Sequence, residues 1–388
     1  MTFLFWLSLA IIAYVYFGYP LAMWLLAQFQ AAPLPPSVTN WPTVSLIISA
    51  FNEERVLEEK LQNALSLGYP RGKLEVIVVS DGSTDRTDEI AARFQSRGVR
   101  LIRLENRQGK TAAQNLAVAR ANGEILVFSD ANALYKQDAL QWLIWHFSCE
   151  DVGCVEGRRV DYSPSDSATA EHELAYRDME SHIKTWESRV ASCTGATGPI
   201  YAVRRSLYIP LNPALISDFM EPMLIMCRHR KRHIFEPCAI SSEAVIPKLK
   251  NEFSRKVRVM TRCLNSLRMM PEVLNPFQNG GFALQVISHR LLRWLVPLFA
   301  ITAFVANLFL LPAPFYQATL ILQVFFILVA MIGAILDRID IGPGFLRLPH
   351  YFYTVNLAAL DAIGNCLRGK NMVIWLPQRH ERQPLIDT

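Results

Sequence analysis

The sequence predicts an α/β domain inserted between transmembrane helices. In the middle of the chain, short aliphatic strands alternate with amphipathic helices, while long uncharged apolar stretches lie towards both ends. Of the 388 residues, 51% are hydrophobic and only 19% are charged, whereas soluble globular chains carry about a quarter charged residues. The composition therefore excludes a largely disordered chain and argues against a wholly soluble one.

The first apolar stretch covers residues 3–26 and precedes the first charged side chain, Glu53. It is about as long as the ~20 residues that cross a hydrocarbon core. It begins without basic residues and is longer than the apolar part of a typical signal peptide. We therefore expect an uncleaved transmembrane anchor over residues 1–30, followed by a stiff proline-rich connector over residues 31–42.

Two more apolar stretches, 291–311 and 316–336, are joined by an uncharged turn with two prolines. They predict a transmembrane hairpin within residues 283–336. The stretch 351–367 is interrupted by Asp361 and Asn365, so we expect it at the membrane interface, inside a carboxyl-terminal region of residues 337–388. The positive-inside rule then favours three crossings with the basic residues on the cytoplasmic side. These residues are Arg338, Arg347, Arg368, Lys370, Arg379 and Arg382.

A soluble domain is predicted between the membrane stretches, over residues 43–247. Four aliphatic runs of the kind found in parallel sheets covered on both faces each precede a stretch with helical periodicity. The runs are 44–50, 75–80, 99–104 and 124–129, and the helical stretches are 53–66, 85–97, 109–121 and 137–148. Ligands of such sheets bind beyond the carboxyl ends of the strands. We therefore expect the four loops that follow the strands to converge on one crevice.

Those loops carry acids, amides and one lysine, which suit a divalent cation and a phosphate better than an apolar ligand. The residues are Asn52, Glu53, Asp81, Lys110, Asp130 and Asn132. Helix capping and turn formation remain an alternative role for the polar residues 81–85. The Gly109-Lys110 pair lacks the upstream glycine of a phosphate loop, because Leu104 occupies that position, and no GxGxxG follows the first strand. Spacing therefore excludes a Walker-type NTPase and disfavours a Rossmann dehydrogenase.

Four segments occur in order along this domain: SLIISAFNE (45–53), VVSDGSTD (78–85), GKTAAQN (109–115) and FSDAN (128–132). Together they resemble the membrane-integrated branch of the family 2 glycosyltransferases, which includes cellulose, chitin, hyaluronan and poly-N-acetylglucosamine synthases. The resemblance implies a GT-A domain that transfers a sugar from a nucleotide-sugar, of which a UDP-sugar is the first expectation.

The resemblance also implies roles for the loop residues in donor binding, with Asn52 and Glu53 among them. Asp81 matches the aspartate that holds the nucleoside, and Lys110 matches a lysine near the donor diphosphate. Asp130 and Asn132 match the DxD pair that holds Mg²⁺ or Mn²⁺. Because Asn132 replaces the second acid, we expect weaker or more selective metal binding.

On the acceptor side, residues 194–204 form a glycine-rich turn that leads into a short strand. By the same resemblance, Gly195, Ala196, Thr197 and Gly198 contact the acceptor, although an ordinary turn is an alternative. Asp218 matches the general base, which takes the proton of the attacking hydroxyl. Arg258 matches the arginine of the QxxRW motif, which binds the leaving diphosphate.

The remaining two positions of that motif differ here, because Arg255 and Val259 replace its glutamine and tryptophan. Since that tryptophan stacks on the acceptor sugar, its loss puts polymer-type acceptor handling in doubt.

Residues 248–268 carry seven basic residues against the single acid Glu252. They predict a basic amphipathic helix at the inner membrane surface, within an interface region of residues 248–282. A solvated cationic face of the catalytic domain is the alternative.

Three functions therefore stay open at this stage. The first is an inverting synthase of an extracellular or capsular polysaccharide, located in the inner membrane with a cytoplasmic catalytic domain and working with export proteins. The others are an enzyme that adds one sugar to a lipid-linked acceptor, and a catalytically silent binding subunit.

Two further classes of site are not expected. The net charge of +5 is modest, and the sequence contains no recognisable nucleic-acid-binding motif. The seven cysteines lack CxxC spacing and predict reduced, mostly buried thiols. His229 and His233 have i, i+4 spacing without an evident third ligand, so we expect no metal there.

Overall fold

The computed structural model describes residues 1–30, 40–162, 168–244, 249–338 and 347–372. The predicted connector (31–42) and basic tail lie mainly outside the described residues. In chain order, the helices and strands are α1 (Thr2–Ala13), α2 (Tyr19–Gln28), β1 (Val44–Ala50), α3 (Leu57–Leu65), β2 (Leu74–Asp81), α4 (Thr87–Arg93), β3 (Val99–Leu104), α5 (Lys110–Val118), β4 (Ile125–Asp130), β5 (Leu134–Tyr135), α6 (Ala139–Trp145), β6 (Val152–Tyr162), α7 (Ala168–Val190), β7 (Tyr201–Arg204), α8 (Ser217–His229), β8 (Arg232–Ala244), α9 (Leu249–Met269), α10 (Pro276–Val286), α11 (Leu292–Leu308), α12 (Pro314–Arg338) and α13 (Arg347–Leu367).

The strands form one sheet in the order β3-β2-β1-β4-β7-β6-β8-β5. The first four are parallel, and the strand bounds predicted from the aliphatic runs are correct to within one residue. The sheet becomes mixed beyond β4, because β7 runs antiparallel to β4 and β6, whereas β6 and β8 are parallel. The sequence analysis identified β7 but not β6.

Both faces of the parallel half are buried, as its continuous aliphatic runs require. Leu46, Ile48 and Val78 face a core shared with α3, α4 and α6. Ile47 and Phe128 face the opposite core, which contains α5. Alternate residues of β1, β2 and β4 therefore stabilise both layers, whereas the edge strand β3 exposes Arg100 and Arg103.

Three helices of the described chain are long and apolar enough to cross a membrane. They are Thr2–Gln28, Pro276–Leu308 and Pro314–Leu336. The number agrees with the three predicted crossings, although the second helix begins at Pro276, earlier than the predicted hairpin. Phe5 of α1 packs between Ala303 and Ala306 of α11, and such small residues let membrane helices approach closely.

Helices α9 and α13 join the candidate membrane spans to the domain that contains the sheet. The predicted basic helix is present as α9, and it packs against α13, which also contacts α11 and α12. Cys263 and Leu267 of α9 share a buried cluster with Phe219 and Leu224 of α8. The segment 351–367 lies within α13, which is long enough to span a membrane but is not among the helices that are also apolar enough. Its interfacial position remains a prediction.

Candidate active site

The loops after β1 and β2 are bound to each other at the carboxyl end of the sheet. Asn52 has a positive φ of 52°, a conformation that asparagine tolerates better than most residues. Its Oδ1 accepts a hydrogen bond from the backbone N of Thr84 at 2.8 Å. The backbone N of Glu53 donates to Oγ1 of Thr87 at 2.7 Å, and the Glu53 side chain is buried. The two loops therefore form one wall of the crevice.

Asp81, the last residue of β2, fixes the loop that leads into α5. Its carboxylate accepts hydrogen bonds from the backbone N of Gln108 at 2.7 Å and of Gly109 at 2.9 Å. Gly109 has a φ of 95° and precedes the first turn of α5. The Arg107 guanidinium lies 3.6 Å from the centre of the Phe51 ring. The predicted nucleoside-binding aspartate thus stands beside an aromatic ring and a cation, at the amino end of a helix.

Lys110 and Asp130 meet where α5 begins and β4 ends. The Nζ atom of Lys110 lies 2.5 Å from Oδ1 of Asp130. Burial lowers the pKa of the Lys110 ammonium, but the charges of Asp130 and Asp218 outweigh burial and raise it. The ammonium therefore stays positive over the physiological range.

Asp218 reaches the same point from the first turn of α8. A Cβ atom built on Gly198 would lie 2.5 Å from Oδ2 of Asp218, 2.7 Å from Nζ of Lys110 and 3.6 Å from Oδ2 of Asp130. Only glycine therefore fits at position 198 without displacing these groups. The geometry brings together three side chains that are separated by 20 to 108 residues along the chain.

The segment Thr194–Gly198, here called the acceptor segment, lies directly on Asp218. The backbone N of Ala196 donates to the backbone O of Asp218 at 2.8 Å. Gly195 has a φ of 104°, and a Cβ there would stand 2.9 Å from the Phe219 ring. Burial raises the pKa of Asp218, Lys110 lowers it and Asp130 raises it further, and the net shift is upward. A carboxyl with a raised pKa is a better proton acceptor than an ordinary aspartate.

Arg258 contributes a second cation from α9. Burial lowers its pKa to about 10, with the nearby Arg262 and Arg255 adding to the decrease, while Asp130 and Asp218 raise it. Arg262 is a site residue that the sequence analysis missed. Its Nη2 donates to the backbone O of Leu215 at 2.9 Å, two residues before α8. Its i, i+4 spacing from Arg258 on a predicted helix was the signal that could have identified it.

The predicted metal ligands, Asp130 and Asn132, alternate with the buried residues Ala131 and Ala133. Both side chains are partly exposed, and they offer carboxylate and amide oxygens, which are the ligands that hard cations such as Mg²⁺ and Mn²⁺ take. The residues present therefore fit the implied cation, with one negative charge fewer than two aspartates would provide.

A buried lysine that the sequence analysis also missed supports this loop. The Nζ atom of Lys60 donates to the backbone O of Ala133 at 2.5 Å and lies 3.9 Å from the centre of the Tyr135 ring. Burial lowers the pKa of Lys60 to about 7, although the negative charges of Asp130 and Glu243 act to raise it. In α3, Lys60 shares the inner face with Leu57, Leu61 and Ala64, so helical periodicity could have placed it inside.

A buried polar cluster connects the acceptor segment to the membrane helices. The Glu187 carboxylate, on α7, accepts a hydrogen bond from the Tyr19 hydroxyl of α2 and lies 2.7 Å from Nδ1 of His289. It also lies 3.3 Å from the backbone N of Thr194. Arg290 donates from Nε to the backbone O of Thr194 at 2.9 Å. One candidate membrane span therefore contacts the start of the acceptor segment directly through Arg290, and another contacts it indirectly through Glu187.

A second acid of α7 strengthens this link. Glu180 lies 3.0 Å from Arg290 and 2.9 Å from Arg293. Burial raises the pKa of Glu180, but His289 and the two arginines outweigh burial and hold it well below its usual range.

Of the residues predicted for the site, Lys110, Asp130, Gly198, Asp218 and Arg258 form one group. Asn52, Glu53 and Asp81 line the neighbouring strand ends.

Comparisons with known proteins agree with this architecture. The sequence model of "Glycosyl transferase family 2" matches residues 45–209. The chain is 29% identical to a beta-monoglucosyldiacylglycerol synthase of Nostoc over 163 residues, 41% of this chain and 34% of that protein. It is 26% identical to a poly-beta-1,6-N-acetyl-D-glucosamine synthase of Staphylococcus epidermidis over 165 residues, 42% of this chain and 40% of that protein. It spans between 29% and 46% of the length of such curated relatives.

A solved structure covers nearly the whole chain. It is the mannosyltransferase PcManGT of Pyrobaculum calidifontis, solved with GDP-Man and Mn²⁺. The likeness covers 95% of this chain and 99% of that one, with a TM-score of 0.71 and 23% identity. The predicted GT-A fold is thereby confirmed.

Proposed function

We propose that this protein is an inverting glycosyltransferase, because residues 45–209 match the sequence model of "Glycosyl transferase family 2". It transfers a sugar from a nucleotide-sugar donor, with a UDP-sugar as the first expectation, to an acceptor held at the membrane surface. The observation that carries the proposal is the meeting of Lys110, Asp130 and Asp218 around Gly198. A phosphate-binding cation, a metal-binding acid and a buried base then surround one space beside the acceptor segment.

The donor lies along the carboxyl ends of the parallel strands. Asp81 and the neighbouring loop residues Asn52 and Glu53 contact the nucleoside. Lys110 and Arg258 bind the diphosphate and stabilise the negative charge that grows on it as the sugar departs. Asp130 and Asn132 hold Mg²⁺ or Mn²⁺, which, when bound, neutralises diphosphate charge as a Lewis acid.

Asp218 performs the proton transfer on the acceptor side. The acceptor hydroxyl oxygen forms a bond to the anomeric carbon while the bond from that carbon to the diphosphate oxygen breaks. The hydroxyl proton goes to the Asp218 carboxylate, and the electron pair of the broken bond leaves with the nucleoside diphosphate. One displacement from the opposite face inverts the anomeric configuration and requires no enzyme nucleophile.

A lipid or lipid-linked acceptor fits the site best. The acceptor segment receives hydrogen bonds from Arg290, on the second candidate membrane span, and contacts Glu187, which Tyr19 of the first span also contacts. An acceptor anchored in the membrane would therefore reach Asp218 along the helices that hold this segment. Val259 in place of a stacking tryptophan also favours single addition.

Polysaccharide synthesis is the second candidate, with a poly-N-acetylglucosamine synthase among the matched relatives. In either case we propose a location in the cytoplasmic membrane with the catalytic domain inside the cell. Arg368 and Lys370, which follow α13, support that orientation.

A panel of radiolabelled UDP- and GDP-sugars, offered to purified protein with membrane lipids, tests the proposal. We expect one donor to be consumed and its label to appear in an organic-soluble product one sugar larger than the acceptor. A ladder of long products would support the polysaccharide candidate instead. Equal donor consumption by wild type and Asp218→Asn, or none by wild type in the presence of Mn²⁺, would contradict the enzyme assignment.

A further inference from the structure

Three fully buried side chains meet behind the acceptor segment, and the reaction proposed above uses none of them. They are Glu156 of β6, Cys193 of the turn before Thr194, and His233 of β8. One potential ligand atom from each lies within 4.8 Å of the other two. The i, i+4 relation of His229 and His233 does not exist in the structure, because α8 ends at His229 and His233 lies on a strand.

Two hydrogen-bond acceptors face each other inside this group. Oε2 of Glu156 and Nε2 of His233 are 3.7 Å apart, and both are buried without a hydrogen-bond partner. Nδ1 of His233 lies 3.4 Å from the backbone O of Cys193. A carbonyl oxygen only accepts, so the ring proton belongs on Nδ1 and the lone pair of Nε2 faces the carboxylate.

The hydrogen bond from Nδ1 leaves no ring proton for the contact between Nε2 of His233 and Oε2 of Glu156. Two facing lone pairs without a proton or a cation between them are unfavourable in a buried site.

The outer atoms of the three side chains are oriented as those of metal ligands usually are. Lys184 donates from Nζ to Oε1 of Glu156 at 2.5 Å, which leaves Oε2 directed towards His233. Oγ of Ser188 lies 3.0 Å from Sγ of Cys193 and accepts from the backbone N of Phe235 at 2.7 Å. Its own hydrogen is therefore free to point at the sulfur. Second partners of this kind orient metal ligands and fix the histidine tautomer.

We propose that Glu156, Cys193 and His233 bind a zinc ion. Thiolate, imidazole and carboxylate are all zinc ligands, whereas the Mg²⁺ or Mn²⁺ of the donor site takes oxygen ligands. Ligand atoms around tetrahedral zinc stand about 3.5 Å apart, so small side-chain rotations close the site. Binding displaces the thiol proton of Cys193, so zinc uptake releases one proton.

This ion would hold the start of the acceptor segment against the sheet. Cys193 immediately precedes Thr194, and its backbone N donates to the backbone O of His233 at 2.9 Å. The segment then reaches Gly198, which lies against Asp218. This positioning role rests on the proposed function. The zinc site itself does not, because zinc content is measured without any assay of sugar transfer.

Zinc content of the full-length protein purified in detergent, without chelators, tests the site. We expect roughly one zinc per chain in the wild type, and a loss of at least about tenfold in Cys193→Ser and His233→Gln. Cys154→Ser is the matched control, because Cys154 is an equally buried thiol on β6 outside the triad. It should retain the wild-type content. Wild-type protein without zinc after growth in zinc-supplemented medium would overturn the proposal.

A spectroscopic measurement separates ligand loss from misfolding. Apo-protein titrated with Co²⁺ should develop a thiolate-to-cobalt charge-transfer band in the wild type and in Cys154→Ser. Cys193→Ser should lack this band while eluting as wild type does on size exclusion. A wild-type cobalt complex without thiolate character, or an unchanged band in Cys193→Ser, would contradict the assignment of Cys193.

Discussion

The ammonium of Lys110 lies 2.5 Å from the carboxylate of Asp130, the acid expected to hold the donor's metal ion. The ammonium of Lys110 therefore already neutralises Asp130, which is the single acid of the Asp130–Asn132 pair. A divalent cation that binds there competes with that ammonium for carboxylate charge. The site should bind metal weakly unless the diphosphate supplies further oxygen ligands.

Restoring the second acid should strengthen metal binding. Asn132→Asp adds a negative charge next to Asp130, so we expect the Mn²⁺ concentration for half-maximal activity to fall at least about threefold. The measurement is a Mn²⁺ titration at saturating donor. Gln137→Glu is the matched control, because Gln137 is exposed five residues further on and its charge should not matter. Equal Mn²⁺ requirements in Asn132→Asp and wild type would argue against position 132 as a ligand.

Replacing the proposed base should remove transfer but not donor binding. Asp218→Asn keeps the shape of the side chain but cannot take a proton, so we expect the transfer rate to fall about 10²- to 10⁴-fold. Donor affinity, measured by calorimetry, should change little. Glu221→Gln is the control on the same helix. Glu221 is buried beside Tyr201, and burial raises its pKa well above its usual range. Wild-type transfer by Asp218→Asn would assign the base elsewhere.

The pH profile should reflect the raised pKa of Asp218. A base is lost when it becomes protonated, so activity should fall as pH decreases through a value above the usual aspartate range. Lys110 lowers the pKa of Asp218, and its removal should therefore move the acid limb to higher pH. Transfer rates of wild type and Lys110→Met between pH 4 and pH 8 check this. A shift of the limb to lower pH in Lys110→Met would contradict the proximity argument.

The parallel half of the fold could be predicted because its physical signal is local. Continuous aliphatic runs such as 44–50 bury both faces of a sheet, and the polar residues after them must then meet at one edge. Asp81, Lys110 and Asp130 follow from that argument alone. Asp218 and Arg258 required the family resemblance, since nothing in their neighbourhood in the sequence places them at this edge.

Other features depend on partners that are distant in the chain. β6 carries Glu156, Arg158 and Arg159 among its aliphatic residues, so it lacks the pattern of a buried strand, and its acid is paired with Lys184 of the distant α7. Glu187 and His289 are 102 residues apart and lie on segments whose own periodicity gives no sign of the pair. Such contacts are properties of the tertiary packing rather than of any local pattern.

The link between the membrane helices and the acceptor segment can be tested through Tyr19. Tyr19→Phe removes the hydroxyl that donates to Glu187 but preserves the ring, so it should loosen the acceptor segment without changing the donor site. We expect kcat/KM for the acceptor to fall about tenfold with the donor KM unchanged. Tyr316→Phe, which packs on Phe5 at the far end of the helices, is the control. An increase by the same factor in the KM for the donor and the KM for the acceptor would instead indicate general destabilisation.

Lys60 should make the stability of the protein depend on pH in the alkaline range. Burial lowers its pKa from 10.5 to about 7 in the folded state, while the unfolded chain keeps the ordinary value. Between these two values the unfolded state binds more protons, so stability increases as pH rises from about 7 towards 10. The gain by pH 9.5 is on the order of 2 kcal/mol. Thermal unfolding in detergent at pH 7.0 and 9.5 measures it.

The matched variants of that experiment isolate the buried group. Lys60→Met removes the titrating ammonium while retaining an unbranched side chain, and its midpoint should rise less between the two pH values than that of the wild type. Lys136→Met removes an exposed lysine, whose side chain is 61% accessible, and should behave as wild type. If Lys60→Met and wild type gained equally on alkalinisation, the Lys60 ammonium would not be the group responsible. The lysine that donates to the loop carrying Asp130 and Asn132 would then have an ordinary pKa and a permanent charge.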